Sequence, residues 1–267
     1  MSRAKTIQDF LRSDIIDIEE LLCLALDFSK PSLCANPNHK ISEGELAKLD
    51  LLIQKRESGE PFAYLSGTKG FYHLDFKVTT DTLIPRPETE ILIDIALGLF
   101  DSSESIKVLD LGTGSGVIAI TLADKCSSWK VSAADQSKAA LKVATHNAST
   151  TKTNIEFRHG SWFEAVPNQC YDLIISNPPY VQTNDPHLAD LQFEPIEALI
   201  SGADGLEDIR IIIEQAPRQL NPGGYLLLEH GFNQQTEIMR LMRQSFSDVR
   251  GFQDNNGIDR AVLGRMK

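Results

Sequence analysis

The sequence predicts an α/β fold: a seven-stranded Rossmann-like sheet ending in an antiparallel hairpin, preceded by a small N-terminal helical bundle. Three observations carry that reading. Apolar residues recur at helical spacing through the first part of the chain, strands and helices alternate beyond Glu88, and the last two strands are too close together to enclose a helix. With 26 Lys+Arg against 37 Asp+Glu the net charge is −11, which argues against sequence-independent binding to a phosphate backbone. Cys23, Cys34, Cys126 and Cys170 are scattered without a Cys-x-x-Cys pair, so a reduced, cytoplasmic setting with no zinc site is expected. Acidic residues interrupt the apolar stretches of residues 1–30, and no long uninterrupted apolar run occurs; neither a secretory signal nor a membrane span is expected.

The elements follow in order. Ile7, Phe10 and Leu11, then Ile18, Leu21, Leu22 and Leu26, then Leu46, Leu49 and Leu52 mark helical faces punctuated by Pro31 and Pro37, with Ser42 and Glu45 spaced as a capping box. From Pro61 to Pro87 the texture becomes aromatic and alternating, which suits a hairpin or extended connector. Strands are expected at Lys107–Leu111, Lys130–Ala134, Asn154–Arg158, Asp172–Ser176, Tyr225–Glu229, Ser247–Phe252 and Asp259–Gly264. Helical patterns such as Ile91–Phe100, Val117–Lys125, Lys138–Ala148 and Ile209–Gln219 fill the gaps. The expected division is a helical domain over 1–70, a hairpin or extended linker over 71–90 and a sheet domain over 91–267.

Chemistry concentrates at strand ends. The first sheet strand runs into Asp110-Leu111-Gly112-Thr113-Gly114-Ser115-Gly116, where glycines let the backbone approach a ligand. A dinucleotide fingerprint wants glycine where Val117 stands, so the alternating form suits a ligand without phosphates. Asp135 ends the next strand, placed to accept ribose hydroxyl hydrogens, although an acid there can also be solvated decoration. Trp162 follows the third strand, either a platform for an adenine face or a core tryptophan. Asn177-Pro178-Pro179-Tyr180 follows the fourth. Two prolines remove two backbone donors, leaving the Asn177 amide and nearby carbonyls free to accept from a planar amino group. Alone, that corner reads equally as a Pro-rich strand-ending turn; four successive strand ends place it on the rim where open α/β sheets bind ligands. His39, His73, His146, His159, His187 and His230 lack metal-ligand spacing, so no metal is expected. Arg86 suits a cofactor or interface carboxylate as well as a structural salt bridge, and the runs 14–20 and 204–208 read as solvated helix faces.

Asp110–Gly116 and Asn177–Tyr180 resemble the motifs of amino-group S-adenosylmethionine methyltransferases. Glu60–Gly67, Leu83–Glu90, Phe193–Leu199, Gly205-Leu206 and Leu227–Gly231 narrow the resemblance to the peptide-chain release factor N5-glutamine methyltransferases, the PrmC/HemK family, along nearly the whole chain. That resemblance implies a SAM-dependent methyltransferase sheet and a protein-(glutamine-N5) methyltransferase acting on the glutamine of the Gly-Gly-Gln motif in class 1 release factors. S-adenosyl-L-methionine is then the methyl donor and S-adenosyl-L-homocysteine the product. It puts Gly112, Thr113, Gly114, Ser115, Gly116, Asp135, Trp162 and Asn177 on the cofactor, and Asn177, Pro178, Pro179 and Tyr180 on the substrate glutamine as catalytic residues. The N-terminal helices would help dock the release factor, with no nucleic-acid or membrane partner. A ribosomal-protein glutamine N5-methyltransferase, a nucleic-acid adenine N6-methyltransferase that flips its base, and a non-catalytic binding module with the same fold are the alternatives.

Overall fold

The computed structural model describes residues 5–267, so residues 1–4 of the expected 1–70 helical domain lie outside the described residues. Two compact units are present, Met1–Gly67 and Thr68–Lys267. The first packs α1 (Ile7–Leu11), α2 (Ile18–Leu26), α3 (Lys30–Ala35), α4 (Glu43–Glu57) and α5 (Phe62–Ser66). Its core is Ile7, Leu21, Leu22, Leu33 and Leu49, all essentially buried. Local chemistry sets the helix starts. Ser42 and Glu45 form the expected capping box, with Ser42 N donating to Glu45 Oε2 at 2.8 Å and Glu45 N to Ser42 Oγ at 3.3 Å. Pro31 does not break a helix but sits in the first turn of α3, where its missing N–H costs nothing. α5 lies within the stretch 61–87 that was expected to be extended. Pro61 supplies a preset φ at its N-cap, and Gly67 turns the chain out with φ 71°.

The second unit opens with a hairpin, β1 (Thr68–Phe71) and β2 (Leu74–Lys77), followed by α6 (Glu90–Leu99). The wound sheet then uses β3 (Lys107–Leu111), β4 (Lys130–Asp135), β5 (Ile155–His159), β6 (Tyr171–Ser176), β7 (Leu220–Glu229), β8 (Phe246–Gln253) and β9 (Asp259–Met266). Their order is β5-β4-β3-β6-β7-β9-β8, parallel through β7, with β9 antiparallel to both β7 and β8. The helices are α7 (Val117–Lys125), α8 (Lys138–Thr151), α9 (Glu207–Gln215) and α10 (Gln235–Met242).

Strand alternation divides the core between two faces. Val108, Leu173, Ile175 and Leu227 point to the side covered by α6 and α7. Leu109, Ile174, Leu226 and Leu228 point to the side covered by α9 and α10. Both faces of the central strands are therefore apolar, as a parallel sheet between helix layers demands. From β3 the chain winds outward through β4 and β5, then returns to place β6 on the other side of β3. That reversal opens a crevice at the carboxyl ends of β3 and β6, where Ser176 Oγ donates to the Leu111 carbonyl at 2.6 Å.

Candidate active site

A cavity of about 410 Å³ occupies that crevice. Gly112, Thr113, Gly114 and Ser115 line it from the β3–α7 turn, Asp135 from the end of β4, Trp162 after β5, and Asn177 and Pro179 after β6. Gly116 does not line it. Its φ of 89° turns the chain into α7, and a Cβ there would stand 2.8 Å from Ile120 Cδ1 and 3.2 Å from Ala144 Cβ. It packs α7 against α8 beneath the loop.

The rim groups are held by the backbone around them. Gly112 N and Thr113 N both donate to the Ala134 carbonyl, at 2.9 and 3.0 Å, tying the glycine turn to β4. The Asp135 carboxylate accepts from Gly114 N through Oδ2 at 2.9 Å and from Ser137 N through Oδ1 at 2.8 Å. Each oxygen keeps a lone-pair direction for a further donor. Partial burial raises the Asp135 pKa, with the two backbone bonds opposing the rise. Trp162 lays its indole against Gly112, where a Cβ would meet Cζ3 at 3.4 Å. Its Nε1 donates to Asp208 Oδ1 at 3.2 Å, so the 204–208 run is not simply a solvated face. Asp110, fully buried beneath the turn, accepts from Thr113 Oγ1 at 2.6 Å and Ala119 N at 3.2 Å, and burial pushes its pKa up to about 7.

A second cavity adjoins the first. Pro178 and Tyr180 line it together with Val181, Leu191 and Leu199, while Leu83, Arg86, Asn177 and Ala198 line both. Asn177 thus stands at the junction, half-buried, between two cavities whose linings are both mainly apolar. Arg86 pairs with the buried Glu194, whose other oxygen accepts from Ile84 N at 2.9 Å. The salt bridge pins the 84–86 segment where Arg86 lines both cavities.

Xylella fastidiosa (strain Temecula1 / ATCC 700964) has a protein named release factor glutamine methyltransferase that is 43% identical to this chain over 258 residues. The match covers 95% of this chain and 94% of the relative. A protein of the same name from Coxiella burnetii is 41% identical over 252 residues, covering 94% and 91%. The chain belongs to the release factor glutamine methyltransferase family. Residues 89–259 match the family model described as a methyltransferase small domain, and residues 7–67 match the PrmC N-terminal domain. A crystal structure of a methyltransferase from Pyrococcus furiosus is 21% identical with a TM-score of 0.57, covering 80% of this chain and 98% of that one, and shares its fold.

In this member of the release factor glutamine methyltransferase family, several residues that matter to the site were not singled out from sequence. Asn147, buried on α8, donates to the Ser115 carbonyl at 2.8 Å and the Lys77 carbonyl at 3.0 Å, tying the glycine turn to β2. Gln234 donates to the Tyr180 carbonyl at 3.0 Å and the Gly205 carbonyl at 3.2 Å, and accepts from Gly231 N at 2.8 Å. Thr89 accepts from Asn177 Nδ2 at 3.2 Å, and Glu229 accepts from the Tyr180 hydroxyl at 3.2 Å. Only a polar residue within an otherwise apolar run, such as Asn147 among Ala140, Val143, Ala144 and Ala148, signals such a role in advance.

Proposed function

We propose that this protein transfers a methyl group from S-adenosylmethionine to the side-chain N5 of the glutamine in the Gly-Gly-Gln motif of class 1 peptide-chain release factors, in the cytoplasm. The single observation that carries the reading is the position of Asn177 at the junction of the two cavities, so that one side chain lines both a nucleoside-sized compartment and its apolar neighbour. The glutamine methyltransferase relatives support the substrate assignment. The donor set of the larger cavity fits S-adenosylmethionine. Asp135 offers a lone pair on each oxygen to the ribose hydroxyls, the Trp162 indole offers an apolar face to adenine, and the Gly112–Ser115 backbone leaves room for the rest.

S-adenosylmethionine supplies an electrophilic methyl on a sulfonium sulfur. A carboxamide nitrogen is a poor nucleophile because its lone pair is delocalised into the carbonyl, the resonance that gives peptide bonds a barrier of about 18–20 kcal/mol. Asn177 Oδ1 and the Pro178 carbonyl each accept one N–H of the target amide. They orient the nitrogen and stabilise positive charge as it develops. Tyr180 closes the far side of the carboxamide. Orientation supplies most of the rate, since alignment alone can offset about 7–11 kcal/mol of barrier. No strong base is needed; the proton acidified by transfer leaves to water. The helices of residues 7–67 contribute docking surface for the release factor, an assignment supported by the match to the PrmC N-terminal domain.

Incubation with methyl-labelled cofactor and a class 1 release factor tests the reading. Label on wild-type release factor and none after Gln→Ala in its Gly-Gly-Gln loop is the expected result. Equal label on both would overturn it, as would preferential labelling of a ribosomal protein in direct competition.

A further inference from the structure

We propose that Asp208 is a positioning residue for the methyl donor: it sets the Trp162 indole so that the adenine ring meets a face already in place. The inference rests on the function proposed above, in which Trp162 offers that face, and concerns what holds the platform. A tryptophan side chain turns about two torsions. Left to them, the indole would swing within the larger cavity, and each arriving cofactor molecule would have to order it.

The ring is gripped at opposite ends. At one end the indole Nε1 donates to Asp208 Oδ1 at 3.2 Å. At the other the benzo edge lies on Gly112, where a Cβ would stand 3.4 Å from Cζ3 and 3.7 Å from Cη2. Two pins at the ends of a rigid plane fix both torsions. Asp208 is itself fixed. It stands in the first turn of α9, its N–H donates to Ser201 Oγ at 2.8 Å, and Ser201 is 2% exposed. Trp162 lines the larger cavity and Asp208 does not, so the carboxylate acts from behind the platform.

The backbone points the same way. Trp162 has φ 42°, a left-handed conformation that a bulky residue rarely adopts and that persists only where its surroundings over-determine it. The turn beneath it is closely tied. Gly160 N donates to the Asp135 carbonyl at 3.1 Å, Glu164 N to the Ser161 carbonyl at 2.9 Å and Val166 N to the Phe163 carbonyl at 3.1 Å. Phe163, the next residue, is buried in the core. Strain of this kind is kept where a side chain must be presented in one direction, and the side chain presented here lines the nucleoside-sized cavity. The first of those bonds ties the turn to Asp135, so the indole and the carboxylate proposed to meet the ribose share one support.

The test has readouts besides turnover. Asp208→Ala removes the acceptor, Asp208→Asn keeps an acceptor oxygen in its place, and Trp162→Phe keeps an aromatic face but has no N–H to hold. The chain has two tryptophans and so two indole N–H resonances, that of Trp162 being assigned by its loss in Trp162→Phe. In the free protein, Asp208→Ala should shift the Trp162 resonance and speed its solvent exchange while that of Trp129 stays put. Calorimetric affinity for S-adenosylhomocysteine should fall about 3–10-fold, the cost of ordering one side chain on binding, and KM for the methyl donor should rise with kcat little changed. Asp208→Asn should restore resonance and affinity together, and in a Trp162→Phe background Asp208→Ala should cost nothing further. Wild-type affinity in Asp208→Ala would overturn the proposal, whatever the resonance does. So would an Asp208→Asn variant as defective as Asp208→Ala, or an equal loss of affinity in the Trp162→Phe background, which would place the effect in α9 rather than in the indole. If S-adenosylhomocysteine binding responds as described while no release factor is methylated, the substrate assignment fails and the positioning role stands. A wild-type protein with no affinity for S-adenosylhomocysteine would overturn both.

Discussion

In the proposed reaction Asn177 concentrates the chemistry of the site in one side chain. It is half-buried, fixed by Thr89 at its nitrogen, and set between two cavities. Asn177→Ala removes an acceptor that strengthens only as the target nitrogen gains charge. The expected outcome is a fall in kcat of about 10²–10³-fold, with cofactor binding retained, as measured by methyl-transfer kinetics beside calorimetry. Asp135 is expected to behave oppositely. It accepts from Gly114 and Ser137 and lines the larger cavity proposed to hold the nucleoside, so Asp135→Ala should weaken cofactor binding by about 1.5–3 kcal/mol in a titration while changing kcat less. A variant pair that did not separate in this way would place the two residues in the wrong compartments.

At the scale of elements, the chain from Asn177 to Leu206 is shaped by close packing. Val181 N donates to the Leu199 carbonyl at 2.8 Å and Ser201 N to the Val181 carbonyl at 2.9 Å, a short parallel bridge that closes the loop over Tyr180. Gly205, at φ 73°, lies so close beneath it that a Cβ would stand 2.2 Å from the Tyr180 carbonyl oxygen and 2.7 Å from Gln234 Nε2. Gly205→Ala must therefore move backbone or break the Gln234 bonds. We expect about 1–3 kcal/mol lost to the backbone conformation alone, read as a lower denaturation midpoint, together with loss of turnover from the displaced corner. The strands and the four rim motifs were legible because each is written in consecutive residues: an apolar run, then a glycine turn, an acid, an aromatic or Asn-Pro-Pro-Tyr. The supports were not. Thr89 meets Asn177 across 88 residues, Tyr180 meets Glu229 across 49, and Gln234 meets Tyr180 across 54, so no local pattern links them. Phe62–Ser66 reads as part of an extended stretch for a related reason, since a proline ends one helix or begins another according to what precedes it.

Across the whole molecule, burial of acidic groups beneath the sheet rim links the site to stability. Asp110 is fully buried and its pKa is pushed up from 3.8 to about 7. An acid whose pKa is higher folded than unfolded binds its proton more tightly in the folded state. Its stabilising contribution is complete below about pH 4 and is lost as pH rises through about 7. Asp110→Asn, neutral throughout, should flatten that slope, worth on the order of 4 kcal/mol across the window, in denaturant unfolding measured at a series of pH values. A variant with the wild-type slope would show that the carboxyl does not titrate there. The two units offer a separate test. Unit Met1–Gly67 has its own apolar core, and the two cavities are lined by residues of Thr68–Lys267 alone. Removing residues 1–67 should leave cofactor affinity intact and raise KM for the release factor, as followed by calorimetry and steady-state kinetics.

The central claim is geometric: the double-proline corner offers its lone pairs to a carboxamide nitrogen beside a methyl donor. It is tested most directly by a crystal structure holding S-adenosylhomocysteine and a Gly-Gly-Gln peptide. The account predicts the glutamine nitrogen within hydrogen-bonding distance of both Asn177 Oδ1 and the Pro178 carbonyl, facing the sulfur. A glutamine side chain lodged elsewhere, or an Asn177 that turns its nitrogen toward it, would contradict the account.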